Sequence, residues 1–333
     1  MNLNGIIGHE RELKYLSSLK NGEGIPHSIL FTGQRGIGKR LIAERFLSSF
    51  LCSAVNSPCG ECNICRQISA KTYPDLIVLD RDEKGKIPVG NKDKLMPGSV
   101  RWLIDRLCRS SSTGNYSVII DGVDTISDAG QNALLKTIEE PYSKSKIFLI
   151  AESRTGILPT IISRCIEIPF QPLKDEEILK IIDLQGRRVA ESEFFTAVSG
   201  GSVEIALKLH EEALFSEIKN ICSTISGFVR SGNNEMFKFT DIKIVPDNEL
   251  LLTVLINIYS FIVRHGFENR LEFIPDEIAV SCDDAVKIVR ILLALKKGLG
   301  NNLNVKNILK GFMYSYSDID SSGFPDADFS WLI

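Results

Sequence analysis

The sequence lacks a strong net charge of either sign. Its 39 Lys and Arg residues against 42 Asp and Glu residues leave a formal net charge of -3 over 333 residues. Hydrophobic residues make up 44% of the chain and charged residues 24%, a balance typical of a folded protein and not of a disordered one. A basic field over the whole protein that grips DNA unaided is therefore excluded, and any nucleic-acid contact must be local or shared.

The sequence also lacks an apolar run long enough to cross a bilayer. Its most apolar stretch, residues 251–263, has 13 residues and contains Asn257 and Ser260, whereas a spanning helix needs roughly 20. The opening residues MNLNGIIGHERELKYL contain no basic segment followed by an apolar one, so we expect no secretory signal. The sequence therefore predicts a cytoplasmic protein with no membrane anchor and no membrane partner.

Short apolar stretches alternate with amphipathic ones in the first half of the chain. SILFT, LIVLD, YSVIID, KIFLIA and CIEIPF predict strands, and stretches such as GKRLIAERFLSSFL and SDAGQNALLKTIEE between them predict helices. Apolar strands that alternate with helices indicate a parallel sheet covered on both faces. Such sheets bind nucleotides at the carboxyl ends of their strands, so we predict an α/β nucleotide-binding domain over residues 1–170.

The strand pattern ends after Pro172. From there to about residue 313 the sequence predicts helices alone, and a chain of this length is expected to form two or three domains. The stretch PFQPLKDEE places a first boundary near residues 170–174, and a second lies near residues 209–215. We predict a small three-helix domain at 171–213 and an all-helical domain at 214–333.

Four of the eight cysteines lie close together, namely Cys52, Cys59, Cys62 and Cys65 in CSAVNSPCGECNIC. Thiolates at this spacing can surround one tetrahedral Zn²⁺, and disulfides are not expected in a cytosolic chain. A ferredoxin-type iron–sulfur motif would continue with three residues, Cys and Pro, but RQISA follows Cys65; unligated cysteines are the other alternative. We predict a structural zinc site in an insert at 52–65, because four thiolates leave no open position for catalysis.

A glycine-rich turn follows the predicted strand SILFT. In GQRGIGK, the residues Gly33, Gly36, Gly38 and Lys39 have the spacing of a phosphate-binding P-loop, and a helical stretch follows them. A plain strand-to-helix turn is the alternative. Further along, YSVIIDGVD resembles the second phosphate- and metal-binding strand of such proteins, with Asp121 at its end placed to meet Mg²⁺.

The order of four motifs resembles one protein family. PHSILFTGQRGIGKR, the four-cysteine insert, NALLKTIEEP and LPTIISRC follow one another as in the AAA+ clamp-loader subunits of bacterial DNA polymerase III, and the resemblance covers essentially the whole chain. It implies an AAA+ fold with a helical lid at 171–213 and an oligomerisation collar at 214–333. The implied function is that of a pentameric ring, part of the DNA polymerase III holoenzyme, that opens a sliding clamp and places it on primed DNA.

The resemblance also implies partners: gamma or tau and delta subunits directly, the sliding clamp weakly or indirectly, and primer-template DNA through the assembled complex. Members of the family are either ATP-driven gamma or tau motors or non-hydrolysing stators. In this chain Arg40 stands where a motor has a magnesium-binding hydroxyl, Gly122 replaces the Glu that activates water, and Glu204 replaces a γ-phosphate-sensing Arg. A guanidinium is a permanent cation that would repel the metal. We therefore expect a stator that hydrolyses no ATP, and ATP binding itself is left open.

Arg164 lies in LPTIISRC, between a predicted short helix and the last predicted strand. From the residues alone it is a surface arginine in an ion pair. The family resemblance implies instead an arginine finger that reaches ATP bound on a neighbouring subunit, where its planar donors stabilise the transferring phosphate.

Three alternative functions differ from the stator. An ATP-hydrolysing gamma/tau-type motor and a self-sufficient ATPase both require that Arg40, Gly122 and Glu204 be compensated by other residues. A zinc finger that reads nucleic acid needs basic and aromatic residues near the cysteines, but VNSPCGECNICRQI has only Arg66 and no aromatic residue. ATP turnover by the purified chain separates the first two alternatives from a stator.

Overall fold

The computed structural model describes most of the chain, which divides into two compact units, Met1–Lys174 and Asp175–Ile333. The described residues are 5–21, 26–83, 85–91, 95–109, 111–112, 115–140, 145–189, 191–231, 248–266, 278, 280–298 and 305–322. Parts of the predicted domain at 214–333 therefore lie outside the described residues.

A five-stranded parallel sheet forms the centre of the first unit. The strands are β1 (Ser28–Thr32), β2 (Leu76–Leu79), β3 (Ser117–Asp121), β4 (Lys146–Ala151) and β5 (Ile166–Pro169). They lie in the order β2-β3-β4-β1-β5, and every neighbouring pair is parallel. The prediction of a parallel α/β sheet built from the five apolar stretches is confirmed.

Helices pack on both faces of this sheet. They are α1 (Glu10–Asn21), α2 (Lys39–Leu51), α4 (Val100–Leu107), α5 (Asp128–Glu139) and α6 (Pro159–Ile162), while the short helix α3 (Asn63–Ser69) packs against α2. Ile29 and Phe31 of β1 pack in an apolar cluster with residues of α1 and α2, whereas Leu30 packs in a second cluster with α4, α5 and α6. Because successive side chains of a strand point to opposite faces and both faces are covered, β1 has to be apolar throughout.

The turn between β1 and α2 depends on a glycine. Gly33 has φ +140°, and a Cβ atom at this position would collide with the carbonyl oxygen of Phe170. The backbone N–H of Phe170 in turn donates to the carbonyl of Thr32 at 2.7 Å. The end of β5 therefore lies directly against the start of the P-loop, which only a residue without a side chain permits.

In the second unit, the described residues form helices and connecting turns, with no strand among them. Its helices are α7 (Asp175–Leu184), α8 (Ser192–Val198), α9 (Val203–Leu209), α10 (Glu212–Ser231), α11 (Asn248–Gly266), α12 (Cys282–Gly298) and α13 (Val305–Ser322). One apolar cluster joins residues of α8 and α9 to residues of the later helices. The prediction that only helices follow Pro172 is confirmed for these residues, and the boundary near residues 209–215 stays a prediction. Within the described chain, no helix combines the length and the apolar character that a membrane span requires.

Candidate functional site

The predicted nucleotide-site residues meet at one edge of the sheet. Parallel strands place their carboxyl ends together, and the P-loop follows β1 while Asp121 ends β3. Gly36 and Gly38 both have positive φ, at 79° and 98°, and α2 begins at Lys39. The edge thus carries the elements of a P-loop site, and the side chains around it decide what it can do.

Lys39 is turned onto its own loop. Its ammonium donates to the carbonyl oxygens of Gly33 and Gln34, the second at 2.6 Å, and the side chain is buried. Burial lowers the pKa of Lys39 to about 8, although the carboxylates of Glu152 and Asp121 oppose the shift. A P-loop lysine binds phosphate by directing its ammonium at the ligand, so this ammonium would first have to leave two carbonyl groups.

Arg40 supplies a cation where a P-loop protein would bind its metal. Its guanidinium pairs with both oxygens of Asp80, lies 3.4 Å from Asp121 Oδ2, and donates from Nε to Glu44 at 3.1 Å. Burial raises the pKa of the Asp121 carboxyl, and the positive charge of Arg40 opposes that rise. A guanidinium has only donors and cannot ligate Mg²⁺. Arg40 instead pairs directly with the carboxylates that lie around it.

A second arginine, which the sequence analysis missed, covers Gly122. Arg81 donates to Glu152 Oε1 at 2.6 Å and lies 3.7 Å from Asp124 Oδ1. Gly122 has φ +110°, and a Cβ atom there would collide with Arg81 Nε. Arg81 therefore fills the space that any side chain at position 122 would enter. Sequence patterns contain no signal for this contact, because it depends on the pairing of β2 with β3.

Gln131, also missed by the sequence analysis, links α5 to the loop after β4. Its buried side-chain amide donates to the carbonyls of Ile126 at 2.9 Å and Gly156 at 2.7 Å, and its Oε1 accepts from the N–H of Leu158 at 2.8 Å. Because α6 begins directly after Leu158, these bonds determine where α6 starts relative to α5. The segment that carries Arg164 is therefore fastened at its beginning.

Arg164 lies just after α6, and its side chain is 36% exposed. Its Nε pairs with Glu139 at the end of α5, and its Nη1 donates to the carbonyl of Thr160 at 2.9 Å and to Ser163 Oγ at 3.4 Å. Nη2 has no hydrogen-bond partner among the described residues. None of the bonds that Arg164 makes to described residues involves the P-loop or Asp121, so the structure does not join it to the chain's own nucleotide site.

Glu204 lies in α9 of the second unit. Its carboxylate pairs with Lys208 at 3.0 Å, one turn further along the same helix. The side chain that stands at the predicted phosphate-sensing position is thus acidic and engaged with a lysine of its own helix.

Four thiols converge between the end of α2 and α3. The Sγ atoms of Cys52, Cys59, Cys62 and Cys65 all lie within 4.8 Å of one another. The Cys52–Cys59, Cys52–Cys62 and Cys59–Cys65 separations are 3.6, 3.9 and 4.0 Å. Four sulfur atoms placed about 2.3 Å from a central ion in a tetrahedron are about 3.8 Å apart. The cluster could therefore hold a tetrahedral metal ion such as zinc.

The backbone around the cysteines favours thiolates at part of the cluster. The N–H of Cys62 donates to Cys59 Sγ at 3.3 Å, and the N–H of Cys65 donates to Cys62 Sγ at 3.4 Å. Backbone N–H groups of Cys62 and Glu61 lower the pKa of the Cys59 thiol to about 6, whereas burial raises the pKa of the Cys65 thiol to about 12. A bound cation would lower the pKa of all four thiols, because its positive charge stabilises each coordinating thiolate and the protons are released to solvent.

Comparisons with known proteins point to one family. A family model described as "DNA polymerase III, delta subunit" matches residues 8–174. The chain is 31% identical over 221 residues to DNA polymerase III subunit tau of Salmonella typhimurium, covering 63% of this chain and 33% of that protein. It is 25% identical over 318 residues to DNA polymerase III subunit delta' of Bacillus subtilis, covering 90% of this chain and 93% of that protein.

A solved structure shares the fold. The gamma subunit-related protein of Thermotoga maritima superimposes with a TM-score of 0.50 at 18% identity, covering 93% of this chain and 99% of that one. At this identity the likeness concerns the fold alone. The chain spans 33% and 57% of the length of the first two curated relatives that it matches.

The contact between Arg81 and Gly122 predicts an unequal cost of substitution. Gly122→Ala is expected to lower the free energy of unfolding by about 1–3 kcal/mol, because the new Cβ adds left-handed strain and meets Arg81. In an Arg81→Ala background only the backbone strain remains, so the substitution should cost less there. Urea denaturation of the purified variants measures both costs.

The control for strain alone is Gly38→Ala, since Gly38 has φ +98° and a Cβ there meets nothing within 4 Å. Its cost should be similar with Arg81 and with Ala at position 81. If Gly122→Ala also costs the same in both backgrounds, Arg81 does not occupy the space over Gly122.

Proposed function

Because the chain belongs to the DNA polymerase III delta-subunit family, and is thus a clamp-loader family member, we propose that it is the delta-prime-type stator of a clamp loader. In this role it hydrolyses no ATP itself, acts in the cytoplasm, and helps to place a sliding clamp on primed DNA. The observation that carries the proposal is the state of its own nucleotide site, where Arg40 and Arg81 hold the carboxylates. The similarity to a delta' subunit over 90% of the chain supports the same assignment.

Hydrolysis of ATP requires three groups, and in this chain each is either absent or already bonded to other residues of the chain. The metal needs a hydroxyl ligand, but Arg40 pairs with Asp80 and Asp121 instead. The attacking water needs a carboxylate, but Gly122 provides none and is covered by Arg81. The phosphates need a free lysine, but Lys39 is bonded to its own loop. Binding Mg·ATP would break these contacts and leave charged groups desolvated without their partners.

The alternative is an ATP-hydrolysing gamma/tau-type motor of the same complex. The 31% identity to a tau subunit and the P-loop spacing support it. Against it stand the ion pairs of Arg40 and the loss of a carboxylate at position 122. Steady ATP turnover by the purified chain separates the motor from the stator.

We expect the purified chain to show no ATP turnover above background. Arg40→Thr would return a hydroxyl for the metal but should still show no hydrolysis, because Gly122 has no group to activate water. The measurement is phosphate release with Mg·ATP, and Lys39→Ala is the control, since it removes any turnover that depends on the P-loop. Turnover by the native chain that Lys39→Ala abolishes would favour the motor.

Within the complex, we propose that Arg164 is an arginine finger for ATP bound on a neighbouring gamma or tau subunit. Three features support this role: the side chain is partly exposed, it has an unpartnered Nη2 among the described residues, and it lies apart from the chain's own site. A planar set of donors suits the charge of a transferring phosphate. We also propose 171–213 as a lid and 214–333 as the collar that assembles with these subunits and delta, with clamp and primer-template DNA reached through the complex.

Arg164→Ala is expected to leave ring assembly intact while lowering the DNA- and clamp-stimulated ATPase of the complex. Arginine fingers contribute about 10³ to 10⁵ in rate at the site they serve, and other sites in the ring will make the total loss smaller. Arg164→Lys should not restore the rate, because a point charge cannot replace the planar fork.

The matched control is Arg154→Ala, which removes an exposed arginine that pairs with Glu167 at 3.4 Å in the same unit. It should leave the ATPase of the complex unchanged. Native ATPase and clamp loading by the Arg164→Ala complex would make Arg164 a surface ion-pair residue without a role in hydrolysis.

For the cysteine cluster we propose a structural Zn²⁺. The donor set of four thiolates and the sulfur separations near those of a tetrahedron support zinc, and no ligand position remains open for chemistry. The ion would join Cys52 at the end of α2 to Cys65 in α3, so its effect is to hold the insert at 52–65.

Elemental analysis of protein purified under reducing conditions is expected to find about one Zn²⁺ per chain and no iron. Cys62→Ser should lower the zinc content and raise amide hydrogen exchange at 52–65, while the rest of the first unit keeps its protection. Cys108→Ser, at an exposed cysteine outside the cluster, should change neither. Metal-free native protein, or loss of protection throughout the unit in Cys62→Ser, would contradict this assignment.

A further inference from the structure

An ion pair at the end of α5 holds the guanidinium of Arg164. We propose that Glu139 is a positioning residue, which orients Arg164 toward the phosphate of a nucleotide bound on the neighbouring subunit. This inference rests on the proposed arginine-finger function and assigns a task to a residue of NALLKTIEEP that the nucleotide site does not use.

The geometry of the pair leaves Arg164 able to donate elsewhere. Glu139 Oε1 accepts from Nε, and the carbonyl of Thr160 accepts from Nη1 at 2.9 Å. The guanidinium is rigid and planar, so acceptors bonded to two of its nitrogens restrict the rotation of the whole group. Nη2 remains without a hydrogen-bond partner among the described residues, so an incoming phosphate can be bound without breaking the contact to Glu139.

Helix α5 is a firm support for this contact. Its Leu134 and Ile138 are buried in the apolar cluster that includes strands of the sheet, so the helix cannot shift freely. Gln131 in its first turn bonds the N–H of Leu158, where α6 begins. Glu139 in its last turn bonds Arg164, just after α6 ends. Both ends of α5 therefore hold the short segment that carries the guanidinium.

The contact is poorly suited to a role in stability alone. The side chains of Glu139 and Arg164 are 44% and 36% exposed, and exposed ion pairs contribute little to folding free energy. An ordered guanidinium, by contrast, speeds phosphoryl transfer because it is already oriented when the transition state forms. A carboxylate that merely restrained Arg164 would act in the opposite direction, and its removal would raise the rate of hydrolysis.

The test uses the complete clamp-loader complex reconstituted with native partner subunits. Glu139→Gln is expected to lower the kcat of clamp- and DNA-stimulated ATPase by about tenfold at the site that Arg164 serves, through loss of alignment. The KM for ATP should not change, because the neighbouring subunit's own residues bind the ground state. Glu139→Asp keeps the carboxylate and should recover part of the rate.

The matched control is Glu140→Gln, one residue further along. The Glu140 side chain is exposed and forms no hydrogen bond or ion pair with the residues that the structure describes, so this variant should behave as the native chain. In an Arg164→Ala background, Glu139→Gln should cause no further loss, since a residue that acts through Arg164 has nothing left to position. Size-exclusion chromatography checks that each complex assembles.

The outcomes separate this inference from the function on which it rests. If Arg164→Ala lowers the rate and Glu139→Gln does not, the positioning role is wrong and the arginine finger stands. If Arg164→Ala has no effect, the arginine finger and the inference both fail. A higher rate in Glu139→Gln, or a further loss in the Arg164→Ala background, also overturns the positioning role.

Discussion

The carboxylate of Asp121 is half-buried at the carboxyl edge of the sheet and needs a cation, and the rest of this site depends on which cation it receives. In a P-loop site that holds Mg·ATP, the metal ion supplies that charge from outside the chain. Here the guanidinium of Arg40 supplies it from within, at 3.4 Å, while also pairing with Asp80. Because a guanidinium cannot leave the chain, Asp121 keeps a cationic partner whether or not a ligand is bound.

The same edge shows how a glycine can leave room for a packed arginine. Gly122 leaves room for Arg81, and Arg81 in turn neutralises Glu152 and lies near Asp124. The backbone N–H of Glu152 donates to Asp124 Oδ2 at 2.9 Å, which ties the loop after β4 to the turn after β3. A side chain at position 122 would therefore have to displace an arginine that pairs with residues after β3 and after β4.

The P-loop residues and the cysteine cluster lie at opposite ends of α2. Lys39 and Arg40 form its first turn, whereas Cys52 follows its last residue. Its 13 residues span about 20 Å at 1.5 Å per residue, so the cysteine cluster is too far away to take part in chemistry at the P-loop. A metal bound there would act on the α2–α3 connection and not on the P-loop.

The sequence by itself determined the features that depend on local pattern. Strands buried on both faces must be continuously apolar, a P-loop needs its glycines at fixed spacing, and four cysteines in one short segment can meet without help from the rest of the fold. Arg40 was readable because it stands inside that spacing. Such features depend on residues close in the chain, so the order of residues is sufficient to predict them.

Only the tertiary structure decided the contacts of Arg81 and Glu139. Arg81 lies beside Gly122 because β2 pairs with β3 in a register that places Leu79 opposite Ile120, and two further residues bring the two positions together. Glu139 meets Arg164, 25 residues away, because α5 and α6 pack on the same face of the sheet. Strand order and helix placement result from the burial of the whole apolar core, which no short stretch of sequence encodes.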